Sequence, residues 1–113
     1  MDEYKVIITA DAENDLNAID DYITFQLLAA ETAISYIAYI RQQLSKLRYM
    51  PKRYKVVNDE PLRTRGIRRM NAKNFAIFYI VLEEYHEVYI QNIIYQKRNF
   101  SHLLRDLGGH NFE

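Results

Sequence analysis

The stretch that decides the fold spans residues 68–98. It reads Arg68-Arg69-Met70-Asn71-Ala72-Lys73-Asn74, then Phe75-Ala76-Ile77-Phe78-Tyr79-Ile80-Val81-Leu82, a charged break at Glu83-Glu84, and Val88-Tyr89-Ile90-Gln91-Asn92-Ile93-Ile94-Tyr95-Gln96-Lys97-Arg98. β-Branched and aromatic residues dominate the three segments, and Asn, Lys and Glu fill the breaks, which predicts an antiparallel meander. In the middle segment both alternate sets are apolar, so this strand is expected at the centre of a sheet covered on both faces. In the last segment Val88, Ile90 and Ile94 share one face, and Tyr89, Gln91, Ile93, Tyr95 and Lys97 share the other. Strict alternation assigns the first set to the core and the second to a partly open face.

Upstream, residues 4–9 alternate Tyr4, Val6 and Ile8 against Lys5, Ile7 and Thr9, a short strand with one face inward. Thr9 or Asp11 can accept from the first free amides of a following helix, whose early acids Glu13 and Asp15 suit the positive end of its dipole. That helix aligns Ala12, Leu16, Ile19, Ile23 and Leu27 in one apolar stripe. A second helix starts near Ala30 or Glu31 and carries Ala33, Ile37, Ile40, Leu44 and Leu47 at alternating steps of four and three. This seam is too short for an extended coiled coil, so the two helices are expected to form an antiparallel hairpin, and Ile34, Tyr36, Ala38 and Tyr39 widen the apolar arc so that the second also lies on the sheet. Pro51 ends the helix by disfavouring helical geometry at Met50 and lacking an amide proton. Residues 52–66 read as a basic loop, and Asn99 caps a last helix over residues 100–107, closed by Gly108-Gly109.

A chain of 113 residues, 49% of them hydrophobic, suits one folded domain and excludes a disordered one. No apolar run approaches a membrane span, and residues 1–5 lack the start of a signal peptide, so no membrane partner and a cytoplasmic location are expected. Without cysteine there is no thiolate site, and His86, His102 and His110 have no metal-ligand spacing, so neither metal nor cofactor is expected. The net charge of zero conceals segregation. Residues 1–40 hold eight acids and one Lys. Residues 41–73 hold eleven Lys or Arg against Asp59 and Glu60, and the remainder holds three bases and five acids. The basic middle suits an acidic partner, either nucleic acid or an acidic protein segment; the alternative is two solvated faces.

The sequence carries no phosphate-binding loop, dinucleotide fingerprint, nucleophile elbow or metal-binding histidine pair. The adjacent acids Asp20-Asp21 and Glu83-Glu84 point in different directions and make no acid–base pair. What remains is metal-free chemistry in which cations stabilise phosphate charge while a ribose 2′-hydroxyl attacks.

The order of strand, helical hairpin, basic loop, meander and final helix resembles the RelE/ParE superfamily of type II toxin–antitoxin toxins, also called plasmid stabilisation proteins. Residues 9–23 look like that family's first helix, Gly66-Ile67-Arg68-Arg69-Met70 and Phe75-Ala76-Ile77-Phe78-Tyr79 like its second and third strands, and Ile94-Tyr95-Gln96-Lys97-Arg98-Asn99 like the close of its fourth. The resemblance implies an α+β fold of order β-α-α-β-β-β(-α), with a helical hairpin packed on a small, mainly antiparallel sheet. It also implies growth inhibition, a cognate antitoxin, and assembly as a homodimer or as a heterotetramer with that antitoxin. RelE-like members cut messenger RNA on the ribosome, whereas ParE-like members bind DNA gyrase. Matched position by position, a nuclease site falls on Arg69, Lys73, Tyr95 and Arg98, with Arg63, Arg65, Arg68 and Lys97 as binding cations. Ala76 stands where nuclease members place a third-strand Arg, and Leu103 and Leu104 where they place a terminal aromatic. Loss of one preorganised donor costs on the order of a hundredfold. With the overall neutrality of the chain, this departure inclines the expectation toward the ParE-like branch; an mRNA endoribonuclease and a catalytically inactive binding module remain the alternatives.

Overall fold

A computed structural model describes residues 3–96; the expected last helix, His102, Lys97 and Arg98 lie outside the described residues. The elements are β1 (Lys5–Ile8), α1 (Ala10–Asp21), α2 (Ala30–Ser45), β2 (Arg68–Ala72), β3 (Phe75–Leu82) and β4 (Glu87–Tyr95). The strands form one sheet in the order β1-β4-β3-β2. β1 runs parallel to β4, and the other pairs are antiparallel. Both helices pack on one side, giving the α+β architecture expected from the element order.

Thr9 sets the hairpin on the sheet. Its hydroxyl donates to the carbonyl of Ile90 at 2.6 Å and accepts from the amide of Ala12 at 3.2 Å, so one side chain joins β4 to the start of α1. Farther along α1, the Asp15 carboxylate accepts from the amide of Ile93 at 2.8 Å and from the Asn92 side chain at 3.3 Å. The stripe Ala12, Leu16, Ile19 and Ile23 is buried as the spacing requires. On α2, Tyr36 of the widened apolar arc is fully buried, and Ile37 of the seam is partly covered against the core. Ala33, Ile40 and Leu47, seven apart, all stay buried, and Tyr36, three after Ala33 and four before Ile40, lies on the same face. Tyr36 then meets the edge of Phe75, their centroids 5.3 Å apart. Each such fully buried apolar side chain contributes about 1.5–3 kcal/mol.

β4 departs from strict alternation. Phe78 pairs with Asn92 and Tyr79 with Ile90, so Gln91 is an extra residue, a β-bulge. The bulge turns Ile93 and Tyr95 to the helix side and puts Ile94 outside, 49% exposed. The assignment of Ile94 to the core and of Ile93 and Tyr95 to the open face is therefore corrected. A one-residue insertion exchanges the faces of everything after it.

The segment between α2 and β2 is more ordered than its composition implied. Pro51 opens a short 3-10 turn, Pro51–Arg53. Farther on, the Gly66 amide bonds the Arg63 carbonyl at 3.0 Å and the Ile67 amide bonds the Leu62 carbonyl at 3.0 Å. This crossed pair is a Schellman closure of the turn, and Gly66, at φ 76°, takes the left-handed position it needs. Glu60 secures the same turn by accepting from the hydroxyl of Thr64 at 2.6 Å.

Candidate functional site

Paired residues on neighbouring strands share a face. The register therefore makes two rows on the side of the sheet opposite the helices: Arg69 and Phe78, then Asn71, Ala76 and Ile94; Asn92 pairs with Phe78 but its side-chain amide donates to Asp15 of α1. Arg69 is already engaged. Its Nε donates to Asn71 Oδ1 at 3.0 Å and its Nη2 to Gln96 Oε1 at 2.5 Å, and the guanidinium lies 5.6 Å from the centre of the Phe78 ring. Ala76 is 2% exposed between its partners Asn71 and Ile94. At the Ala76 position the face offers a methyl group.

The Schellman turn walls this face on one side. Leu62, Arg65 and Ile67 join Phe78, Gln91, Asn92 and Ile94 around a cavity of about 240 Å³. The bulge is responsible for the amide pair, because it places Gln91 beside Asn92 where regular alternation would put only one. Among the described residues Arg65 has no ion pair, and it is the single charged residue of the lining. Sequence reading missed this cavity. Its signal was the polar pair Gln91-Asn92 interrupting an otherwise alternating strand.

The residues expected to form a nuclease site are split by the sheet. Arg69 lies on the open face. Tyr95 lies on the helix side, 5.1 Å from Phe75, centroid to centroid. Lys73 occupies the two-residue turn between β2 and β3 at φ 54°, and its Nζ is 5.4 Å from the centre of the Tyr39 ring on α2. Arg98 falls outside the described residues. Of the binding cations, Arg63 and Arg65 are exposed on the Schellman turn. Arg68 turns the other way, donating from Nη1 to the carbonyls of Tyr54 at 2.6 Å and Lys52 at 3.2 Å. Lys97 is not among the described residues.

Other members of the basic segment serve the fold. Lys52 pairs with Glu83 at 3.0 Å, and Tyr4 donates to the same carboxylate at 2.8 Å. These contacts, the Lys52 hydrogen bond foremost, hold the Glu83 carboxyl below its ordinary range. Arg41 grips Glu13 at 2.9 and 3.1 Å across the hairpin, which lowers the Glu13 pKa and raises that of Arg41. The pair is exposed and adds about 0–1 kcal/mol at most. Among the described residues no group of three or more histidine or acidic side chains is placed to hold a metal ion. No helix among them is long and apolar enough to cross a membrane.

This arrangement is similar to toxins of solved toxin–antitoxin systems. The chromosomal ParDE system from P. aeruginosa matches with a TM-score of 0.68 at 22% identity, over 86% of this chain and 100% of that one. The RelBE2 complex from Mycobacterium tuberculosis matches with a TM-score of 0.63 at 21% identity, over 84% and 93%. The isolated E. coli RelE toxin matches at 0.54 and 12%, over 92% and 98%. The fold is thus that of the RelE/ParE-like toxins. Residues 6–100 match the family described as the ParE toxin of type II toxin–antitoxin systems, and the chain belongs to that family. No curated protein matches it.

Proposed function

We propose that this chain inhibits growth as the toxin of a toxin–antitoxin pair by docking onto a protein target, DNA gyrase in the ParE-like manner, and that a cognate antitoxin holds it inactive. The antitoxin is expected to be acidic where it meets the basic segment between α2 and β3. The observation that supports a docking toxin over a nuclease is the makeup of the open face. Its described cation, Arg69, is held by Asn71 and Gln96 beside Phe78, Ala76 and Ile94, while Lys73 and Tyr95 lie against the helix side. Phosphoryl chemistry on RNA needs several donors converging on one phosphate.

The test is induction of the chain alone in bacteria, with plasmid supercoiling and transcript integrity followed together. The expected result is growth arrest with altered supercoiling and intact transcripts, unchanged by Arg69→Ala and relieved by the antitoxin encoded beside it. Rapid transcript cleavage abolished by Arg69→Ala would establish the nuclease instead, and a folded chain without any growth defect would mark an inactive binding module.

A further inference from the structure

We infer that the cavity between the Schellman turn and the open face is a socket for one large apolar side chain carried by an acidic protein segment. It rests on the reading of the chain as a protein-docking toxin, and it names a surface and a chemistry that this reading leaves open.

Size comes first. At about 240 Å³ the cavity is smaller than the roughly 300–1,000 Å³ of pockets that enclose a whole small ligand, so a single side chain is the better match. Its composition agrees: Leu62, Ile67, Phe78 and Ile94 supply an apolar lining, and Ile94 is 49% exposed. An aliphatic or aromatic anchor entering here would cover surface now open to water, as the central anchors of protein interfaces do.

Charge then selects the segment that bears the anchor. Among the described residues the lining contains no acid and Arg65 has no ion pair, and Arg63 stands exposed on the same turn. Carboxylates flanking the anchor meet these cations, whereas a basic segment is repelled. The Gln91 amide, set beside Asn92 by the bulge, can donate and accept, so it suits a peptide group next to an inserted residue, while the Asn92 amide is held by Asp15 and fixes the floor of the cavity. Order completes the case. The wall is closed by the bonds to Leu62 and Arg63 and by Glu60 with Thr64, so the socket exists before its occupant arrives and little ordering cost attaches to binding.

The experiment needs no knowledge of the target. The ¹⁵N-labelled full chain is titrated at low salt with a blocked pentapeptide that has leucine at its centre and two acids on each side, and amide shifts are recorded. Saturable shifts confined to Leu62, Ile67, Phe78, Asn92 and Ile94 are expected. Replacing the leucine of the probe with alanine should weaken binding about tenfold, and reversing the flanking charges should abolish it. Arg65→Glu should weaken the acidic probe about tenfold and admit the basic one, and Ile94→Glu should remove binding while the remaining amide spectrum stays that of the folded chain. Four results overturn the assignment: shifts centred elsewhere, equal binding of the alanine or basic probe, tighter binding of a single-stranded tetraribonucleotide to the same amides, or concentration-dependent self-association that covers Ile94. Supercoiling is not read, so failure of the socket is distinct from failure of the gyrase reading.

Discussion

Gly66 carries more of the basic turn than its size indicates. At φ 76° it closes the Schellman pair, and a Cβ built there would meet nothing within 4 Å. The cost of Gly66→Ala is therefore backbone strain alone, about 1 kcal/mol, read as a lower urea midpoint with an unchanged slope. Tyr79 is the complementary case inside the core. It is fully buried, and its hydroxyl donates to the Pro51 carbonyl at 2.6 Å. Tyr79→Phe leaves that carbonyl without this donor and should cost about 1–2 kcal/mol near neutral pH. Burial, partly countered by the nearby charge of Arg68, pushes the Tyr79 pKa up to about 12. Because the folded value exceeds that of an unfolded tyrosine, the folded state keeps a proton that the unfolded chain releases between about pH 10 and 12. Its stabilisation is complete below pH 10 and is lost as the pH rises through 12. Urea titrations of both proteins from pH 9 upward should show the wild-type advantage shrinking over that interval.

At the scale of elements, helices and strands were legible because each repeats a periodicity for several turns or pairs. Ala12, Leu16, Ile19 and Ile23 are buried as the stripe required, and residues 75–82 form the expected inner strand. Single-residue events broke the reading. The bulge at Gln91 shifted the parity of β4, and on α2 the depth of burial differed within one arc, Tyr36 being fully buried and Ile37 only partly. The site was less legible than the fold for the same reason. Lys73, Tyr95 and Arg69 are close in sequence-derived order, but a sheet has two sides, and one bulge decides which side receives Tyr95. The connection between the helices shows a different local conflict. A wide turn, Tyr22–Gln26, leads to Leu28 at φ 52° with its side chain 85% exposed. Leucine there bears left-handed strain with little burial in return, so Leu28→Gly should stabilise the fold by about 0.5 kcal/mol after the added unfolded-state entropy of glycine is counted. A raised thermal midpoint checks it; a drop of more than about 1 kcal/mol would mean that Leu28 makes packing contacts in solution.

At the scale of the whole molecule, the strand order separates local from distant assembly. β2, β3 and β4 follow one another through short turns and pair as neighbours, whereas β1 pairs only with β4, at the far end of the described chain. Local pairing pays little loop-closure entropy, so the meander should form early and β1 should dock late. Ile77→Val, at the centre of the meander, is then expected chiefly to slow refolding, and Ile8→Val chiefly to speed unfolding, in stopped-flow measurements. Equal φ-values at the two positions would contradict this order.

A ribosome delivers β1 before the hairpin and β4 after everything else described here, so the one parallel pair in the sheet cannot close until β4 has left the exit tunnel. Thr9, which ties β1 and α1 to Ile90, waits for the same moment. The bulged strand that shapes the socket is also the strand that completes the described sheet, and the surface offered to partners comes into being only as that sheet closes.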